Sequence, residues 1–301
     1  MRQDFYYAMG YAGELVALSV SVCWAISSYF FEQSSRQVGS LHVNYMRLLF
    51  GFVLLGLYGL FVHGRFFPTG AGTHQWLWLS LSGFLGFFVG DLFLFKSYTV
   101  IGSRLAMLVM TFSPVMTALI GWVVLGESLQ WLQWLSIGLI VLGVLMAFVR
   151  RNRGKVHFTF SFKGFLLAFA GAFGQSLGLV YSKKGIVDYD PFAATQIRII
   201  AGFVAFSLLL TLGKRWGGLA AAFKRWDTVR AVGIGSFFGP GLGVALSLLA
   251  VTLTETGVAS ALMGLAPILL IVPAVRRGKR IDWREILGAL IAVMGVSLLF
   301  L

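Results

Sequence analysis

Apolar residues run along the chain in long, evenly hydrophobic stretches parted by short polar and basic links. Ten stretches stand out, over 12–31, 41–62, 76–95, 104–124, 131–149, 163–182, 192–212, 230–252, 256–275 and 284–301. A helix of roughly 18 to 25 residues crosses a hydrocarbon core of about 30 Å. Backbone groups in lipid must be satisfied within their own segment, and these runs are too long for barrel strands, so they predict helices. The fold class expected is an all-α polytopic membrane protein with ten transmembrane helices.

Composition agrees: 58% of residues are hydrophobic and 12% charged, with 28 Phe against 6 Pro, more apolar matter than a water-soluble domain of 301 residues hides in one core. The net charge of +13 raises a nucleic-acid reading, but the basic residues are scattered among short links between spans, where membrane topology explains them better. One side collects Arg36, Lys96, Arg104, Arg150, Arg151, Arg153, Lys155, Lys163, Lys214, Arg215, Lys224, Arg225, Arg230, Arg276, Arg277, Lys279, Arg280 and Arg284. The other holds Arg2, Arg65, Lys183 and Lys184. The rich side is expected to be cytoplasmic, in the inner membrane if the source is bacterial. The amino-terminal segment mixes Arg2, Asp4 and Glu14 and shows no small-residue cleavage site, so the first span is expected to be retained. Cys23 is the sole cysteine, which excludes an intrachain disulfide, and His42, His63, His74 and His157 have no metal-binding spacing.

The second half of the chain repeats the first. "YMRLLFGFV" (45–53) returns as "QIRIIAGFV" (196–204), matching Arg47 to Arg198 and Gly51 to Gly202. "TFSPVM" (111–116) aligns with "GLAPIL" (264–269), matching Pro114 to Pro267, and "SIGLIVLGV" (136–144) echoes "GALIAVMGV" (288–296). The expected units are residues 1–154 and 155–301. Five spans per unit is an odd number, so the second unit enters the membrane from the opposite face. Inverted repeats of this kind build transporters that expose one central site to either side in turn.

These same segments carry a family resemblance. "VCWAISSYFF" with Trp24, "YMRLLFGFV", and "FKSYTVIGSRLAMLVMTFSPVMTALIGWVVLGESLQWLQWLSIGLIVLGV" resemble the drug/metabolite transporter superfamily in its ten-helix EamA-type branch. The match keeps the fourth-helix proline and the "LGE" ending at Glu127, while the second half reads "RRGKRI" (276–281) in that place. The resemblance implies a secondary transporter, most often an exporter, spanning nearly the whole chain.

Charged residues inside the spans are the functional candidates. Asp91 lies near the middle of the third span, too deep and too short to reach water, and its repeat counterpart is Val244. Its carboxyl group either pairs with Lys96 or Arg47, or titrates as a coupling proton and substrate move. Arg47 sits about 9 Å inside its span at 1.5 Å per residue, and the inversion sets Arg198 at a similar depth from the opposite face. The two are read as anchors or as gates at opposite ends of the pathway. Pro114, Pro267 and Pro240, with Pro273, are expected to kink spans as packing features or hinges. Trp24, Asn44, Tyr98, Met110, Gln175, Thr195 and Met263 are candidates to line a central cavity. Glu14 reads as interfacial, Glu127 as a turn cap or a partner for a loop cation, and Glu255 as a helix start.

No nucleophile elbow, phosphate loop, HExxH or paired-carboxylate motif appears, so neither catalysis nor a cofactor is expected. The function expected is secondary export of small polar metabolites such as amino acids by alternating access, with protons as the candidate coupling ion. Two alternatives stand beside it: exchange of anionic or sugar-linked solutes read by Arg47 and Arg198, and a membrane enzyme or assembly subunit. The expected partners are a small-molecule substrate and the lipid bilayer, with no nucleic acid; monomer and homodimer are both open.

Overall fold

The computed structural model of the protein describes residues 11–125, 130–152, 155–158, 161–186, 189–254, 256–276, 278 and 282–299. Helix α1 (Ala12–Val38) turns through Gly39, at φ 88°, into α2 (Ser40–His63). Helix α3 (Thr73–Gly83) passes through a π-helical segment (Phe84–Gly90) into α4 (Asp91–Val109), followed by α5 (Phe112–Leu125) and α6 (Trp131–Phe148). A short antiparallel hairpin of β1 (Val149–Asn152) and β2 (Lys155–Phe158) then carries part of the basic link between the halves. Helices α7 (Phe162–Gly185), α8 (Pro191–Leu212), α9 (Trp216–Lys224) and α10 (Trp226–Ser236) lead through a second π-helical segment (Phe237–Gly243) into α11 (Val244–Leu253). The chain closes with α12 (Thr256–Met263), α13 (Ala266–Leu269), α14 (Ile271–Arg276) and α15 (Trp283–Leu298).

Among the described residues seven helical stretches are long and apolar enough to cross a bilayer: Ala12–Val38, Ser40–His63, Thr73–Val109, Trp131–Phe148, Phe162–Ser182, Pro191–Leu212 and Trp226–Ser247. The expected count of ten is therefore not met by length. The run at 104–124 is divided between the end of α4 and the 14 residues of α5, and that at 256–275 breaks into α12, α13 and α14. The last run folds as the 16 residues of α15. Both breaks precede a proline. Turns at 110–111 and 264–265 leave Pro114 and Pro267 in the first turns of α5 and α13, where the missing N–H costs no helical bond. Pro114 and Pro267 are thus helix starters, not mid-helix kinks, whereas Pro240 does lie inside a helical path, in the second π-helical segment.

The repeat written in the sequence is also a repeat of contacts. The space above the Gly51 Cα is bounded by Ile199 and Pro240, and that above Gly202 by Leu48 and Phe87. Gly143 abuts Gly288 and Ala292, while Gly295 abuts Ser136 and Ile140, so α6 and α15 meet through matched glycines. Small residues let apolar helices approach closely where lipid provides no hydrophobic drive. The outer faces carry Leu60, Phe61, Leu142, Leu145, Leu208 and Leu212, all exposed, as a surface solvated by hydrocarbon requires.

Helix α4 is broken at Gly102, whose φ of 83° and ψ of 158° suit glycine alone. Arg36 donates to the carbonyls of Tyr98 at 3.1 Å and Thr99 at 3.1 Å before the break. Glu32 accepts the Ser103 N–H at 2.8 Å and its hydroxyl at 2.6 Å after it. One pair of side chains on α1 thus satisfies both orphaned backbone ends. Gly102→Ala is expected to lower the midpoint of thermal unfolding in detergent, by about 1–3 kcal/mol of backbone strain.

Candidate functional site

Each π-helical segment sits at the same point of its half, and the sequences "FLGFFVG" and "FFGPGLG" share Phe, Gly and Gly at matching positions. A π turn opens the backbone by one residue and commonly marks functional sites in helices. Asp91 is the first residue beyond one segment and Val244 the first beyond the other. The wide turns need glycine because another helix lies against them: the Gly90 Cα faces Gly174, and the Gly243 Cα faces the Trp24 indole.

Asp91 is 4% exposed and bonded on every side. Its Oδ2 forms an ion pair with Arg47 Nη2, and Gln175 Nε2 donates to its Oδ1 at 2.7 Å. Gln175 Nε2 also reaches the Gly86 carbonyl at 3.3 Å. Asn44 closes the network: its Oδ1 accepts from Arg47 Nε at 3.0 Å, and its Nδ2 donates to the Asp91 carbonyl at 3.1 Å. Residues of α2, α4 and α7 are thereby tied through one carboxylate. The Arg47 guanidinium carbon also lies 4.8 Å from the Phe95 ring centroid and 5.6 Å from that of Phe87.

Arg198 comes to the same place. Its guanidinium carbon lies 4.6 Å from the Phe87 ring centroid, so both repeat-matched arginines cover one phenylalanine. Two side chains within 6 Å of a single ring cannot stand at opposite faces of a hydrocarbon core about 30 Å thick. This corrects the expectation of separate gates. Arg198 is 8% exposed, and its side chain makes no hydrogen bond or ion pair among the described residues; its Nε is buried without an acceptor.

The model of the EamA-like transporter family matches the chain twice, over residues 11–149 and 162–301. The chain belongs to the EamA-like transporter family. It is thus a multi-pass membrane protein of a transporter family. The uncharacterized transporter YdfC of Bacillus subtilis (strain 168) is 28% identical over 159 residues. That match spans 52% of this chain and 49% of YdfC, about half of each. A solved crystal structure superposes over 95% of this chain and 96% of its own with a TM-score of 0.66 at 17% identity, which shows a shared fold alone.

Within this EamA-like protein, Asp91, Asn44, Gln175 and Arg47 are bonded together, as candidates from three separate spans. Tyr98 is next to them, ring to ring with Phe95 at 5.2 Å, its hydroxyl 3.4 Å from Ser28 Oγ and 3.5 Å from Met107 Sδ. The other candidates are elsewhere. Trp24 and Met263 share a smaller apolar cluster with Ala17, Val20, Ala250 and Ala259. Met110 occupies the turn between α4 and α5, and the Thr195 hydroxyl donates to the Pro191 carbonyl of its own helix at 2.8 Å. Glu14 accepts from Thr254 Oγ1 at 3.0 Å, while Glu127 and Glu255 lie outside the described residues. Sequence reasoning passed over Phe87, Phe95 and the Ser113–Ser176 contact at 3.0 Å, which joins α5 to α7 beside Gln175. The recurring Phe-x-Gly-x-x-x-Gly pattern was the available signal for the segment that holds Phe87.

Proposed function

We propose that this EamA-like protein is a secondary transporter working by alternating access, with its solute site at the Arg47–Asp91–Gln175–Asn44 network. The observation that carries the reading is a single buried carboxylate tying helices of both halves together. Rocking one half against the other has to remake those bonds, so the network is placed where a solute and a conformational change can be coupled. The two halves are read as residues 1–154 and 155–301 in opposite orientation, with the basic links cytoplasmic. Export of small polar metabolites is the direction that the family resemblance implies.

Asp91 also suits proton coupling. As a carboxylate it accepts from Arg47 and Gln175 at once; once protonated it loses the charge of the ion pair and gains an O–H that Arg47, a donor only, cannot accept. The charged groups facing it are Arg47 from α2 and Arg198 from α8, with Tyr98 on its own helix. Solutes found by a thermal-shift screen would be loaded into proteoliposomes and their flux followed across pH. Wild-type flux is expected to change with pH and Asp91→Asn flux to be flat. A pH profile unchanged by Asp91→Asn contradicts the coupling.

A further inference from the structure

The buried charges do not balance. Arg47 and Asp91 pair, and Arg198, beside the same Phe87 ring, faces Asp91 but makes no ion pair with a carboxylate among the described residues, so the cluster keeps one positive charge in excess. Arginine does not shed its proton, and an aromatic face eases a cation's charge while taking none of its five N–H bonds. A buried cation in excess is costly, and a ligand that brings one negative charge removes that cost.

The geometry points to a small monocarboxylate as the solute, held by Arg198; this rests on the transport reading above and names its substrate class. Three features select that chemistry. The planar guanidinium matches a carboxylate with two parallel N–H bonds. One negative charge neutralises the site, whereas a phosphate carrying close to two would leave it negative. Glycine at 86 keeps open the space between the headgroups: a Cβ there would lie 3.6 Å from both Arg198 Nη2 and Gln175 Oε1. Asp91 does not compete for Arg198, because its own oxygens are held by Arg47 and Gln175.

The test uses the full chain in detergent at fixed ionic strength, with propionate, lactate and benzoate each set against its amide, and with chloride and inorganic phosphate alongside. At least one carboxylate is expected to stabilise the wild-type protein against heat in a saturable way, and its amide, chloride and phosphate are not. Arg198→Gln is expected to weaken that binding at least about tenfold, the loss of a charge-assisted pair. Arg198→Lys keeps the charge without the planar fork; should Arg198→Gln fail to accumulate, this variant is expected to bind several-fold more weakly than wild type. The inference is overturned if no carboxylate stabilises more than its amide, if chloride or phosphate does as well, or if both Arg198 variants bind like wild type. Flux in proteoliposomes separates the two claims. Carboxylate binding without flux upholds the assignment of Arg198 and defeats transport, whereas flux of neutral solutes indifferent to Arg198→Gln does the reverse.

Discussion

Arg47→Met is expected to cost the folded protein about 3–5 kcal/mol, the penalty of stranding the partner of a buried ion pair. Asp91 is 4% exposed, and without Arg47 its carboxylate keeps only the amide of Gln175. Arg198, the other cation close by, lies beyond ion-pairing distance. The double variant Arg47→Met with Asp91→Leu is expected to recover most of the loss, because two apolar groups of similar size owe no desolvation. Thermal and denaturant unfolding of the three variants in one detergent decides the matter. If Arg47→Met alone melts like wild type, or if the double variant is no more stable than the single, the pair does not hold the helices together.

Gly174→Val carries the second large effect, since it acts on the backbone beneath the same network. A Cβ at position 174 would stand 2.6 Å from the Gly90 Cα and 2.8 Å from its nitrogen, with no flexible side chain in between to yield. Helix α7 must then move away from the π-helical segment, and Gln175, the next residue, is pulled from Asp91. The expected cost is about 1–3 kcal/mol of overpacking together with loss of solute flux. Gly138, whose Cβ would meet nothing within 4 Å, provides the control: Gly138→Ala is expected to leave stability and flux near wild type. A Gly174→Val protein with unchanged flux would show that the close approach of α7 to the π turn is not needed at the site.

The apolar runs and the repeat were legible because each is written in consecutive residues. Arg47 and Arg198 were matched from the sequence, and so were the glycines that now pack reciprocally. What no local pattern fixes is helix rotation. The choice of Arg47 over Lys96 as the partner of Asp91 depends on which faces α2 and α4 present to each other, and Lys96 is exposed. Depth misled in the same way: counting residues from each end of two inverted spans set the arginines apart, while both side chains reach one ring. Trp24 and Gln175 are repeat counterparts and both abut a π-segment glycine, yet only Gln175 has an amide to offer Asp91. Proline was read as a kink because the apolar runs gave no sign of the turns at 110–111 and 264–265, which turn Pro114 and Pro267 into helix starters.

Alternating access requires one buried network between the halves to open to each side of the membrane in turn. Cys23 is the sole cysteine and is buried, so Cys23→Ala gives a background without thiols. Ser176→Cys then sets a nearly isosteric thiol beside Gln175. Oriented vesicles would be treated with a membrane-impermeant maleimide from either side, with and without Asp91→Asn. Labelling from both sides, shifted toward one side by Asp91→Asn, is the predicted result. A thiol that reacts from one side only under every condition, or from neither, contradicts alternating access at this site.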